Sequence, residues 1–335
     1  MFDIHQPEIQ FALHAVRQAA LLAQTIQTEM VTPALTKEDR SPVTVADYAA
    51  QALVGALLSE AFPNDVVVAE EDTGALRQAA AAHTLEQTTH FVRQILPQAT
   101  PESVLRWIDH GRVDAAQRFW TLDPIDGTKG FLRGEQYAVA LALVVKGQVQ
   151  IGVLGCPNLG HPNLTEALQL ELNGPGSLVI AVRGQGTWSA ALNEGQNFQQ
   201  LKVSDQADAR AARLLRSVES GHTNVDQIGA FVQAMGIQTP PLSMDSQAKY
   251  AVLAAGGGEL LLRLLSADKP GYREKIWDQA AGSLILEEAG GQITDLDGKP
   301  LDFTPPRSLS HNRGILASNG VLHSAALRAL RTIQA

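Results

Sequence analysis

The sequence predicts an α/β chain, and three observations carry that prediction. Short apolar runs alternate with segments of helical period along all 335 residues. Neither an internal repeat nor a low-complexity linker interrupts them. Hydrophobic residues make up 45% of the chain, enough to bury a full core in two domains or one large layered unit.

The first helix is read from Ile9, Leu13, Val16, Ala20 and Ala23, whose spacing of three and four places them on one face. Ser41-Pro42-Val43-Thr44 reads as extended and leads into a second helix over 48–61. Val66–Ala69 is a short buried strand that ends at Glu70-Glu71-Asp72. Residues 74–114 are rich in Ala and Gln, weakly patterned and broken by Pro97 and Pro101, and read as peripheral helices or a mobile flap. Residues 118–122 are aromatic and branched, a strand closed by a proline turn at Pro124. The runs 137–145 and 148–155, joined at Lys146-Gly147, form a buried hairpin. A further strand and turn lie at 177–188. Residues 278–289 have helical character and stop at Gly290-Gly291; a strand at 292–296 and an Asp297-Gly298 turn follow. Two prolines and a glycine at 157–162 mark a seam, giving an N-terminal α+β part (1–158) and a C-terminal α/β part (159–335).

A formal net charge of -9 argues against a sequence-independent grip on a nucleic-acid polymer, which needs a basic face. A polyanionic small substrate stays open, because metal ions and a few local cations can reverse the field inside one cleft. The sole cysteine, Cys156, excludes an intramolecular disulfide and reads as a small buried hydrophobe. Residues 1–10 lack the basic start and apolar core of a secretory signal, and the longest apolar stretch, Ala138–Val145, is too short to span a bilayer. The expected location is cytoplasmic, without membrane contact.

Chemistry concentrates at Asp123-Pro124-Ile125-Asp126-Gly127-Thr128-Lys129-Gly130. Two carboxylates stand three positions apart on a bend at a strand end. Gly127 can adopt backbone conformations closed to other residues, so the amides after it can approach a ligand. Oxygen-only donors beside exposed amides suit a hard divalent cation that grips a phosphate. Lone aspartates serve equally as turn residues or helix caps. Four more acids fall at element boundaries: Asp47 before a helix, where capping is the plainer role; Glu70 and Glu71 at the carboxyl end of a buried strand; and Asp278 in a helical first turn, where the dipole favours an acid. Together with Asp123 and Asp126 they match what two neighbouring magnesium ions require.

The strings Val-Val-Ala-Glu70-Glu71, Asp123-Pro-Ile-Asp-Gly-Thr128, Ile276-Trp277-Asp278 and Glu288-Ala-Gly-Gly291 resemble the inositol monophosphatase superfamily of magnesium-dependent, lithium-sensitive phosphatases. The longer strings 41–51, 123–135, 245–250 and 274–278 are similar to its 3'(2'),5'-bisphosphate nucleotidases. Two departures stand out: Gln279 occupies the place of a His, and Ala69 that of a Gly before the Glu pair. Neither removes a metal ligand, but Gln279 cannot titrate near neutrality.

The resemblance implies a layered αβαβα sandwich with its active site between the two parts. It implies one Mg²⁺ held by Glu70, Asp123 and the Ile125 carbonyl, and a second held by Asp123, Asp126 and Asp278. A third, weaker ion near Glu70 also occurs in the superfamily. Asp47 with Thr128 would position and deprotonate the attacking water, which displaces the capping role for Asp47. The amides of Gly127 and Thr128 would hold phosphate oxygens, and His222, Ser246, Lys249 and Arg263 would surround the nucleotide. Lys249 and Arg263 have a physical case too, as cations in apolar runs need an anionic partner. A local acid such as Glu259 or Asp268 could be that partner for Arg263, and His222 reads equally well as a solvated loop residue.

The implied activity is Mg²⁺-dependent removal of the 3'-phosphate from adenosine 3',5'-bisphosphate, and from 3'-phosphoadenosine 5'-phosphosulfate, in sulfur assimilation. The protein would act as a monomer or homodimer. The alternatives are an inositol polyphosphate 1-phosphatase or fructose-1,6-bisphosphatase of the same superfamily, and a non-catalytic nucleotide sensor.

Overall fold

The computed structural model describes residues 2–31, 41–110, 117–160, 176–194, 197–218, 225–265, 271–304 and 307–334. Two helices packed on each other open the chain, α1 (Pro7–Met30) and α2 (Ser41–Ala61). The expected extended stretch at 41–44 belongs to α2 instead. Proline in a first helical turn breaks no hydrogen bond, because the amide it lacks has no partner there. Asp47 therefore lies in the second turn, inside the helix, and does not cap it.

After β1 (Val66–Ala69) come α3 (Ala82–Arg93) and α4 (Pro101–Asp109), so the expected peripheral helices are present, joined by turns at 74–78 and 94–100; 111–114 lie outside the described residues. Pro101, a breaker by sequence, starts α4, where Thr100 and Ser103 form a reciprocal capping box. These helices pack Phe91, Val92, Val104 and Ile108 against α2. Strand β2 (Arg118–Asp126) does not end at a proline turn but runs through Pro124, with its pairing register shifting between Asp123 and Asp126. After α5 (Thr128–Arg133), the expected hairpin is β3 (Ala138–Val145) and β4 (Gln148–Cys156), followed by β5 (Ser177–Val182), β6 (Gly186–Ala191) and β7 (Gln199–Leu201).

Strands β1 to β7 form one sheet in chain order, parallel only between β1 and β2. The sheet runs past the expected boundary at 158, since β5–β7 all follow it. A second sheet has the order β11-β12-β10-β8-β9, built from β8 (Leu214–Arg216), β9 (Leu242–Ser243), β10 (Leu260–Arg263), β11 (Gln292–Thr294) and β12 (Ile315–Ser318). Its helices are α6 (Val225–Met235), α7 (Ala248–Ala254), α8 (Ala280–Glu288) and α9 (His323–Thr332).

Side-chain alternation sets the layers. On β3, Val139, Leu141 and Leu143 face α1 and α2, while Ala138, Ala140, Ala142 and Val144 face α7 and α8. The far side of α7 and α8 meets Leu215, Leu261, Ile315 and Ala317 of the second sheet, whose other face packs on α6 and α9. The layers are thus αβαβα, as expected. Small residues bring the central layer close: a Cβ on Gly152 of β4 would lie 2.7 Å from the Ala281 carbonyl of α8. No described helix is long and apolar enough to cross a membrane.

Candidate active site

The parallel pairing of β1 with β2 sets the first carboxylates. Ala69 stands opposite Leu122, so one further step along both strands brings Glu70 beside Asp123. Asp126 follows at the end of β2. Asp278 arrives from the segment before α8, and Asp47 from the buried face of α2. Their electrostatics show that they share one field. Burial, then Glu70, Asp126, Asp278 and Asp47 in turn, push the Asp123 pKa well up. Burial and then Glu71 and Glu70 do the same for Asp47. For Asp278, burial dominates, with Arg263 opposing it and Glu274, Asp126 and Glu70 adding to it. Glu70 keeps an exposed edge, but crowding raises its pKa, first by desolvation and then by Asp126, while a contact with Asp123 opposes.

Gly127 has φ +90° and opens α5; a Cβ there would lie 2.9 Å from Ser246 Cβ, so only glycine lets these chains meet. Ser246 itself holds a left-handed φ of 66°, strain of the kind that gathers at ligand sites. The Thr128 hydroxyl lies 3.5 Å from the Ile125 carbonyl, on the exposed side of the bend. Asp126 accepts a 2.6 Å hydrogen bond from the Gln247 amide, tying the end of β2 to the start of α7. Gln247 then donates to the Trp277 carbonyl at 2.9 Å and accepts from the Gly282 amide at 3.0 Å. One buried amide thereby links the Asp126 and Asp278 segments. Sequence reasoning passed over Gln247; the available signal was a polar residue at the head of the apolar run that becomes α7.

Two cations face this cluster. Lys249 is buried, not on the surface, and its ammonium donates to the carbonyls of Ser246 at 2.7 Å and Met244 at 3.2 Å. It therefore braces the strained Ser246 turn as well as opposing Asp126, and burial lowers its pKa to about 8. Arg263 pairs with Glu274, its Nε 3.0 Å from Oε2 but without the alignment of a hydrogen bond. Glu259 is not its partner, since that carboxylate accepts from the Arg213 amide at 2.6 Å. Asp268 and His222 lie outside the described residues. Gln279 joins the same network, accepting from the Tyr250 hydroxyl at 2.5 Å and donating to Glu274 at 2.9 Å. Cys156 is buried with its thiol pKa pushed up, which suits packing and not nucleophilic attack.

Among the described residues, no three His, Cys, Asp or Glu side chains converge as a ready-made ion site. The donor set nonetheless fits magnesium. It is all oxygen, and the buried Asp123 Oδ1 has no hydrogen-bond partner. Like charges about 4 Å apart repel by about 4 kcal/mol at an effective dielectric of about 20, so such a group calls for cations or protons.

A family model for inositol monophosphatases matches residues 5–335. The chain is 40% identical to a 3'(2'),5'-bisphosphate nucleotidase of Schizosaccharomyces pombe, covering 93% of this chain and 91% of that protein. It is also 40% identical to a protein of the same name from Oryza sativa, over 97% and 93%. Among solved structures, an IMPase of Thermotoga maritima superimposes with a TM-score of 0.63 at 19% identity, covering 98% of each chain. An inositol monophosphatase from Anabaena does so at 0.60 and 20%, covering 96% and 94%. At that identity the structures speak for the shared fold.

Proposed function

Because the chain belongs to the inositol monophosphatase family, we propose that it removes the 3'-phosphate of adenosine 3',5'-bisphosphate, and of its 5'-phosphosulfate analogue, giving the 5'-nucleotide and phosphate. The observation that carries this reading is one cleft in which Asp47, Glu70, Asp123, Asp126 and Asp278 share a field while Lys249 and Arg263 oppose it. The nucleotide as substrate is supported by the names of relatives at about 40% identity. The sole cysteine, buried, fits the cytoplasm.

Glu70, Asp123 and the Ile125 carbonyl would hold one magnesium, and Asp123, Asp126 and Asp278 a second, with Glu70 near a third, weaker ion. Bound there, the ions acidify water and offset charge on the leaving oxygen. Asp47, buried on α2 beside this cluster, would take the proton of the attacking water. Thr128 orients that water through its hydroxyl. The amides after Gly127 donate to phosphate oxygens; a six-residue helix adds only a small dipole to this. Arg263 and Lys249 face the phosphate that is not cleaved, and Ser246 lies beside them. His222 completes this set by resemblance alone.

A phosphate-release panel tests the reading. With Mg²⁺, adenosine 3',5'-bisphosphate and 3'-phosphoadenosine 5'-phosphosulfate should turn over far faster than inositol 1,4-bisphosphate or fructose 1,6-bisphosphate, with lithium inhibiting where sodium does not. Preference for a sugar bisphosphate would move the assignment to another branch of the family. Absence of turnover on the whole panel would favour a sensor.

A further inference from the structure

β1 is one of the two edge strands of the seven-stranded sheet and, among the described residues, pairs with β2 alone. Such a strand leaves one side of its backbone unpaired, and its last residues fray unless other groups satisfy them. Here side chains from three separate elements do so. The Thr121 hydroxyl donates to the Val68 carbonyl at 2.9 Å. Arg307 Nη2 donates to the Ala69 carbonyl at 2.9 Å, across 238 positions of sequence. Gln51 pairs with Glu71 as a neighbouring strand would: Nε2 donates to its carbonyl at 2.8 Å and Oε1 accepts from its amide at 3.1 Å.

Glu70 is the residue between these tethers. Gln51 is 1% exposed, lies one helical turn after Asp47 on α2, and also donates to the Ile108 carbonyl at 3.0 Å. It thus joins the helix that carries Asp47 to the loop that carries Glu70. Arg307 is placed with equal care. Its guanidinium stacks on Trp277, the residue before Asp278, with the charge centre 4.8 Å from the ring centroid. Its backbone carbonyl accepts from the Ile276 amide at 3.4 Å, and its φ is a left-handed 66°. One side chain therefore spans the segments that precede Glu70 and Asp278.

We propose that Gln51 and Arg307 are positioning residues that clamp the backbone on either side of Glu70 and so fix its carboxylate toward the divalent cation. The inference rests on the reading of Glu70 as a metal ligand. Lysine in place of Arg307 keeps the charge but cannot both lie over Trp277 and reach the Ala69 carbonyl through a second nitrogen. Outer partners of metal ligands typically contribute 10- to 100-fold in metal affinity.

Two readouts separate the clamp from the ligand. In Arg307→Lys, amide hydrogen exchange at 69–72 should accelerate, and Mg²⁺ binding by calorimetry should weaken about tenfold. Gln51→Met should do the same. In a Glu70→Gln background, Arg307→Lys should cause no further loss of Mg²⁺ affinity, because the group it positions no longer binds. Unchanged exchange at 69–72 in Arg307→Lys overturns the clamp, whatever Gln51→Met does to stability. Full additivity in the Glu70→Gln background overturns it as well. Wild-type Mg²⁺ binding by Glu70→Gln alone defeats the ligand reading instead, and the exchange data distinguish that failure from the other.

Discussion

Along one side of the cleft, Glu70 stands just past the end of β1 and Asp123 beside it within the parallel strand β2, which Asp126 closes. Across it, Lys249 and Arg263 come from a seven-residue helix and a four-residue strand of the other half. The cations arrive already engaged: Lys249 on two carbonyls, Arg263 beside Glu274. On the acidic side, by contrast, desolvation and mutual repulsion act together on Asp123, and one of its buried oxygens has no partner. The acidic side needs charge from outside the chain. The basic side is largely balanced within it, so Lys249 and Arg263 also hold the surrounding fold together.

That contrast is open to direct attack. Asp123→Asn should have the largest effect. If Asp123 holds magnesium as proposed, a neutral amide would serve it poorly, and several kcal/mol of charge stabilisation would go with it. Turnover should fall roughly a thousandfold or more, and Mg²⁺ should raise the melting temperature of the parent but not of the variant, as expected for lost ligand linkage. Calorimetric melting with and without Mg²⁺ checks it. A persistent Mg²⁺ shift would mean that the acidic side does not depend on its most buried member.

A smaller loss is expected on the basic side. Removing a charge-assisted hydrogen bond costs about 1.5–3 kcal/mol, about ten- to hundredfold in kcat/KM. Arg263→Ala should lose that factor on adenosine 3',5'-bisphosphate but little on adenosine 3'-phosphate, which lacks the second anion. The coupling between variant and substrate is the quantity to measure. Equal losses on both substrates would make Arg263 a structural partner of Glu274.

Smallest of all is an effect that should bypass the cleft. His323 is 1% exposed, with its ring nitrogens 3.0 Å from Thr294 Oγ1 and 2.9 Å from Ser318 Oγ, and burial lowers its pKa to about 4. In the unfolded chain it takes up a proton near pH 6.5, whereas the native ring stays neutral until about pH 4. Its contribution to stability is therefore complete above pH 6.5 and shrinks as pH falls toward 4. His323→Gln should flatten that part of the stability profile in urea titrations while leaving kcat unchanged. An unaltered slope would refute the assignment.

Part of the acidic side was legible in the sequence because Glu70 and Asp126 sit where the buried strands β1 and β2 end, and strand ends are marked by composition. The same reading misjudged segments where proline spoke ambiguously. Pro42 and Pro101 look like breakers but lie at helix starts, and Pro124 lies within β2 where the register shifts. Asp47 changed character as a result, from an apparent cap to a buried acid inside α2. The seam at 157–162 suggested a boundary, yet the sheet continues to Leu201, because a loop can leave and rejoin one sheet without any compositional mark. Least legible were Gln51, Gln247 and Arg307. Each acts on backbone atoms far away in sequence, and no local pattern encodes a carbonyl 238 positions distant.

The two sheets also differ in how their strands are ordered along the chain. The seven-stranded sheet adds each strand beside the one before it, whereas the second runs β11-β12-β10-β8-β9. Neighbouring pairings close short loops and form early; distant ones must wait for the chain to return. The shorter loops join β2 to β7; β1, whose Val66 pairs with Phe119, is joined across a separation as long as that between Arg263 of β10 and Ile315 of β12, so Glu70 comes beside Asp123 only through a long-range pairing. A cation held by Glu70, Asp123 and Asp278 would bind only after those distant segments have met, so its binding free energy would add to the stability of the assembled fold.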